Sequence, residues 1–293
     1  MAAKPLRDRP EEVYSVESAC KDYVEDRRSE RNQACAHDAQ KRFERTVYGT
    51  AFGRMPIERL SSLDIKKWRY QTGLSKSSQN RTMTALRAAL NLALQNRRVA
   101  TERRIEWASV RQHPGASRRR SLFLDLEQRR LLLRQASGAV GDLMAGMVLT
   151  GARPGDLTGA RCSQYDARTR SVTFSSKNAV RTVPLSNAAV SLFDRLARHK
   201  RPSDLLFTRD DGKPWAHSDW DELVRAAAEQ AGLPAGVCLY TLRHSFITQA
   251  LMDGMTTLDV ARISGTSLAM IERHYGHLVM HAARERLEQV NLL

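Results

Sequence analysis

One stretch of this chain leaves the helical rhythm. Between Cys162 and Pro184, Val172 and Phe174 alternate with Thr173 and Ser175, and Val180 to Pro184 supplies a return segment. Period-two alternation over so short a run marks strands with one buried face, here joined as a hairpin. Nearly everywhere else the apolar residues recur at spacings of three and four, as one face of an α-helix requires. The expected fold class is therefore mostly α with a small antiparallel β-sheet.

The helical signals fall into two groups. In the first, Ser15 is placed to cap a helix running to about Arg31, and a second spans about His37 to Tyr48. Ser61 or Ser62 caps a third carrying Leu63, Ile65 and Trp68. The longest runs from Ser75 to Arg98, with Met83, Leu86, Leu90 and Leu94 on its stripe. Pro114-Gly115 and the run Arg118, Arg119, Arg120 then interrupt the pattern. The second group opens with a helix capped by Asp125, continues from Gly138 to Thr150, and resumes after the hairpin. There the expected helices are about 187–199, 218–231, 241–252, 258–264, 268–274 and 280–290. The organisation read from this is a flexible tail at 1–11, a helical domain at 12–110, a linker at 111–120, and a second domain at 121–293 ending in a helix.

Charge narrows the partner. The net charge is +15, and residues 1–120 hold 26 Lys and Arg against 14 Asp and Glu. That concentration fits a surface that follows a polyanion. Aromatic residues are only 6% and are not interleaved with the basic ones. Duplex backbone contacts are expected rather than a stacking platform for single strands. No apolar run approaches the ~20 residues that span a bilayer, and the first ten residues lack the apolar core of a signal peptide. A cytoplasmic protein without membrane partners follows. Cys20, Cys35, Cys162 and Cys238 form no metal-type or disulfide-type spacing.

Four local contexts carry possible chemistry. Arg153 stands in T-G-A-R-P-G-D, where Asp156, three residues on, can lie beside the guanidinium and hold its fork. The glycines here are not a nucleotide loop, since no Lys-Ser/Thr follows at the required spacing. Lys177 falls at the hairpin tip in F-S-S-K-N, able to reach a ligand and deliver a proton. Arg243 and His244 sit near a helix start in Y-T-L-R-H-S, a setting suited to an anion, with the Tyr240 hydroxyl just upstream. Tyr275 lies in I-E-R-H-Y-G-H. A free phenol has a pKa near ~10 and is a poor nucleophile, but surrounding cations favour the phenolate. A late tyrosine behind Arg, Lys and Arg is the inventory for attack on a DNA phosphate. His274, His277 and His281 have a spacing that could align metal ligands, but Gly276 weakens a continuous helix and no carboxylate stands between them. Neither a metal nor a cofactor is expected.

Taken together these segments resemble the catalytic domain of the tyrosine recombinase (phage integrase) family. T-G-A-R-P-G-D-L resembles its first arginine box, F-S-S-K-N its hairpin lysine, Y-T-L-R-H-S-F-I-T its second arginine box, and S-G-T-S-L-A-M-I-E-R-H-Y-G-H the segment ending in the nucleophile. The first domain resembles the family's helical core-binding domain, less specifically. Two positions depart from the family: Tyr240 and Thr266 stand where it most often has His, and His or Trp. A hydroxyl at 240 can bond a phosphate oxygen but is a weaker proton acceptor than imidazole.

The resemblance implies a site-specific recombinase. Tyr275 would form a 3′-phosphotyrosine, Arg153 and Arg243 would clamp the non-bridging oxygens, and Lys177 would protonate the leaving 5′ oxygen. Tyr240, Thr266, His244 and Asp156 would support them. The implied partners are duplex DNA with specific recombination sites, a homo-tetramer on that DNA and an accessory DNA-bending factor. The implied setting is a bacterial or phage-encoded, nucleoid-associated protein that integrates or excises a mobile element. Two other readings remain: an architectural DNA-binding protein with catalysis weakened or lost, and a type IB topoisomerase-like relaxing enzyme.

Overall fold

The computed structural model describes residues 13–30, 33–116, 122–176, 179–216 and 218–287, together with Val290. The expected tail at 1–11, the arginine run at 118–120 and Lys177 lie outside the described residues. The chain divides into two compact units, Met1–Arg118 and Arg119–Leu293.

The first unit is helical: α1 (Val16–Glu30), α2 (Gln33–Thr46), α3 (Ser62–Gln71), α4 (Lys76–Gln95) and the short α5 (Arg104–Ala108). Polar caps set their starts. The Ser15 hydroxyl accepts from the Ser18 N–H at 3.1 Å, and the Ser75 hydroxyl from that of Ser78 at 3.3 Å. Ser61 and Asp64 form a reciprocal box at the start of α3. The apolar stripes of α1, α2 and α4 meet around Phe43, Met83, Leu86 and Leu90, all fully buried. Each such side chain contributes about 1.5–3 kcal/mol on burial. The two tryptophans carry their polar edge inward without penalty, because each finds an acceptor. Trp68 donates to the Thr46 carbonyl at 2.7 Å, and Trp107 to Asn91 at 2.8 Å. Trp68 also stacks on Phe52 at 4.6 Å.

The second unit contains α6 (Leu126–Gln135), α7 (Gly138–Thr150), α8 (Pro154–Thr158), β1 (Tyr165–Asp166), β2 (Ser171–Ser176), β3 (Ala179–Pro184), α9 (Asn187–Ala197), α10 (Asp221–Gln230), α11 (Leu239–Met252), α12 (Thr257–Ser264) and α13 (Leu268–Leu287). The sheet is antiparallel in the order β1-β2-β3. Its register pairs Val172 with Val183 and Phe174 with Arg181. Val172, Phe174 and Val183 are buried, so one face of the hairpin closes the core while the other faces water. The mostly apolar α7 packs against α11, α9 and α6, and its Leu143, Met144 and Met147 are fully buried. A smaller cluster of Ile247, Leu251, Val260, Ala261 and Ile271 joins α11, α12 and α13.

Three elements differ from expectation. The α5 helix and the two-residue β1 are too short for periodicity to reveal them. The helix expected to stop near His274 and restart at Met280 is instead continuous through Gly276. Glycine in a helix costs about 1 kcal/mol relative to alanine, which one position in a twenty-residue helix can absorb. Among the described residues, no helix is long and apolar enough to cross a membrane.

Candidate active site

The site is assembled around the C-terminal end of α12. A helix leaves its last carbonyls without intrahelical partners, and they carry partial negative charge. Here α12 stops because Gly265 takes a left-handed conformation, φ +66°. Three guanidiniums from separate elements converge on the exposed carbonyls. Arg181, on β3, donates through Nε to the Ile263 carbonyl at 3.2 Å. Arg243, on α11, donates through Nη1 to the Ser264 carbonyl and, at 2.6 Å, to that of Gly151. Arg153, the residue capping α8, donates through Nη2 to the Gly265 carbonyl. Gly265 is needed for this approach, and Gly151 for the packing beside it. A Cβ on Gly265 would lie 2.7 Å from the Arg181 guanidinium, and one on Gly151 would lie 2.2 Å from the Phe246 ring.

One carboxylate ties two of these arginines together. Asp156 Oδ2 accepts from Arg181 Nη2 at 2.6 Å and from the Arg153 backbone N–H at 3.0 Å. The Arg153 guanidinium stands farther off, at 3.9 Å. The stronger ion pair of Asp156 is thus with Arg181. Arg153 has extended backbone at the start of α8, so a carboxylate three residues on folds back onto its N–H as in a capping box. The side chains of Asp156 and Arg181 are only 5% and 11% exposed. Arg181 also lies over the Phe174 ring, 5.0 Å from its centroid. Burial pushes the Arg243 guanidinium down to about 10, with Arg153 and Arg181 acting in the same sense and Asp156 and Tyr275 opposing. It remains charged at neutral pH. Three guanidiniums against this carboxylate leave positive charge in excess, the condition for holding a phosphate.

Tyr275 reaches this region from α13. Its ring packs against the small cluster of α11, α12 and α13. Its hydroxyl lies 2.7 Å from Nδ1 of His244, and the two rings are 5.1 Å apart. The structure therefore brings Arg153, Arg243 and Asp156 together at the end of α12, and pairs Tyr275 with His244 within electrostatic reach of Arg243. Tyr240 is exposed in the first turn of α11, one turn before His244. Thr266 follows the Gly265 cap, half-buried, with its N–H on the Ala261 carbonyl at 3.0 Å. Lys177 is outside the described residues.

Arg181 was not among the candidates read from sequence. The register puts it on the buried face of β3, two residues from Val183 and opposite Phe174. An arginine in the inward phase of a strand was the available signal, since a charge there must be paired. Among the described residues, no group of three or more His, Cys, Asp or Glu side chains is placed to hold a metal.

Residues 122–281, more than half of the chain, match the sequence model of the phage integrase family. The chain belongs to the phage integrase family. Among relatives in this family, tyrosine recombinase XerD of Mycobacterium tuberculosis is 31% identical over 145 residues, covering 46% of this chain and 47% of that protein. XerD of Pseudomonas aeruginosa is 28% identical over 149 residues, covering 48% and 49%. The chain spans about half the length of the curated relatives it matches. The fold is that of solved integrases. The Tn1549 transposon integrase, residues 82–397 in complex with circular intermediate DNA, superposes with a TM-score of 0.74 at 19% identity, covering 93% of this chain and 99% of that one. A lambda integrase tetramer bound to a Holliday junction gives 0.70 at 16% identity, covering 91% and 82%.

Proposed function

We propose that this integrase-family chain is a site-specific DNA recombinase that cleaves and rejoins duplex DNA through a 3′-phosphotyrosine. One observation carries the reading: Arg153, Arg181 and Arg243 converge on the end of α12, within electrostatic reach of the Tyr275 phenol. In the reaction the Tyr275 oxygen bonds to phosphorus as the bond to the 5′ oxygen breaks. Negative charge builds on the two non-bridging oxygens of the five-coordinate transition state. Arg153 and Arg243 bind those oxygens, exchanging the carbonyls of α12 for phosphate. Donors fixed before the reaction stabilise that charge without reorganising, and losing one typically costs about 10²–10³ in rate. Asp156 and Arg181 hold the pair in place. Lys177 protonates the leaving oxygen. Tyr240 and Thr266 donate hydrogen bonds to the phosphate. The 5′-hydroxyl of a partner strand then attacks the phosphotyrosine, so the bond energy is kept.

The basic first unit supplies sequence-blind phosphate contacts, and helix side chains in the major groove choose the site. Exchange between two duplexes requires four such sites, hence a homo-tetramer on DNA, aided by an accessory DNA-bending factor. The exposed Met280 and Leu287 late in α13 suit docking on a neighbouring copy. Work on DNA suits a bacterial cytoplasm, at the nucleoid, in the service of a mobile element. An architectural protein without catalysis would have no need of a tyrosine hydroxyl held against an imidazole beside the arginines.

The test uses nicked suicide duplexes with a randomised core, from which the cleaved 5′ fragment diffuses away. A covalent protein–DNA adduct that survives denaturant is expected with the natural chain and absent with Tyr275→Phe. Equal adduct from both, or none from either, overturns the proposal.

A further inference from the structure

Attack by Tyr275 requires its proton to leave, and the position where this family most often has histidine holds Tyr240. We infer that His244 is the catalytic base for Tyr275, receiving the phenolic proton on Nδ1. The inference rests on the recombinase reading and adds the proton's destination to it.

Contact comes first. His244 Nδ1 lies 2.7 Å from the Tyr275 hydroxyl, inside the distance at which a base abstracts a proton directly. The rings pack at 5.1 Å with a 39° tilt, so the pair is held by packing as well as by the hydrogen bond. Chemistry comes second. A tyrosine hydroxyl at 240 is a very weak proton acceptor, whereas a neutral imidazole, with an ordinary pKa near ~6.5, accepts at neutral pH. The tautomer protonated on Nε2 directs the Nδ1 lone pair at the phenol. Position comes third. His244 is one helical turn beyond Tyr240 on α11, so both lie on one helix face. It also follows Arg243 directly. Consecutive helix residues diverge by about 100°. One points at the carbonyls of Gly151 and Ser264, the other at α13. A single rigid helix thus delivers a phosphate clamp and the base.

The step balances without another reagent. The phenolic O–H bond breaks and its proton passes to Nδ1, leaving an imidazolium. The Tyr275 oxygen forms its bond to phosphorus, the bond to the 5′ oxygen breaks, and that oxygen takes a proton from Lys177. On rejoining, the incoming 5′-hydroxyl returns its proton to Lys177, and the departing phenolate recovers its own from His244.

The experiment measures adduct formation on the suicide duplex with His244→Asn, which keeps a polar atom near the Nδ1 position but takes no proton. The natural chain must form the adduct, and if it does not, the recombinase reading itself fails. Given that adduct, the variant is expected to form it about 10²–10⁴-fold more slowly, the usual contribution of a positioned base. Fluorotyrosine at 275, a more acidic phenol, is expected to recover at least about tenfold of that loss, since such a phenol depends less on a base. A duplex with sulfur at the 5′ bridging position, whose leaving group needs no proton, is expected to recover nothing. Cleavage by His244→Asn at the natural rate overturns the assignment. So does a defect that the sulfur leaving group erases, or one that fluorotyrosine leaves unchanged, because a merely structural role would not respond to phenol acidity. If His244→Asn does not fold, His244→Gln replaces it under the same comparisons.

Discussion

At the scale of single residues, the site depends on one buried carboxylate. Asp156 accepts from Arg181 and from the Arg153 backbone, and neutralising it leaves the nearly buried Arg181 guanidinium without its carboxylate. Breaking a buried pair from one side typically costs about 3–5 kcal/mol. Asp156→Asn and Arg181→Met are each expected to destabilise the protein by that amount, measured by urea unfolding. Arg243→Ala is expected to leave folding less affected than cleavage, lowering the adduct rate by about 10²–10³ as an anion-stabilising donor is lost. Arg153, Arg243, Asp156 and Tyr275 were legible because each stands in a compact local pattern. Arg181 was not, because its partners Asp156 and Ile263 are remote in sequence and only the fold joins them.

At the scale of elements, helix ends were easier to read than helix middles. Ser15, Ser61 and Asp125 were visible caps because a short polar side chain before an apolar stripe has a definite task. Removing one is expected to be modest: Ser61→Ala should cost about 1 kcal/mol by thermal unfolding. The Ser61 hydroxyl also holds the Asp64 carboxyl below its ordinary range. That small contribution is present above the ordinary aspartate pKa and fades as pH falls through the lowered value. Gly276 was harder. Glycine reads as a breaker, yet α13 runs through it, because the neighbouring turns supply the hydrogen bonds that one weak helix former does not disturb. An added Cβ there meets nothing within 4 Å. Gly276→Ala is therefore expected to stabilise the protein by about 0.5–1 kcal/mol, read as a rise in melting temperature.

At the scale of the whole molecule, period was enough to read two helical units and a hairpin, and charge pointed to a polyanion as the expected partner. They could not show how three arginines scattered over some ninety residues meet at one helix end, which is a property of packing. The excess of basic residues before residue 121 predicts DNA affinity that falls steeply with salt, by roughly 10³-fold or more between 50 and 200 mM if six or more phosphates are neutralised. A salt titration of duplex binding by the full chain checks this, and a flat dependence would remove the electrostatic half of the account. The central claim is that the Tyr275 oxygen, beside a guanidinium cluster, becomes covalently joined to DNA. Mass spectrometry of the trapped, nuclease-treated adduct tests it most directly. The account predicts a nucleotide mass on the peptide containing Tyr275, attached through a 3′ phosphate. A nucleotide on any other residue, or attached through a 5′ phosphate, would contradict it.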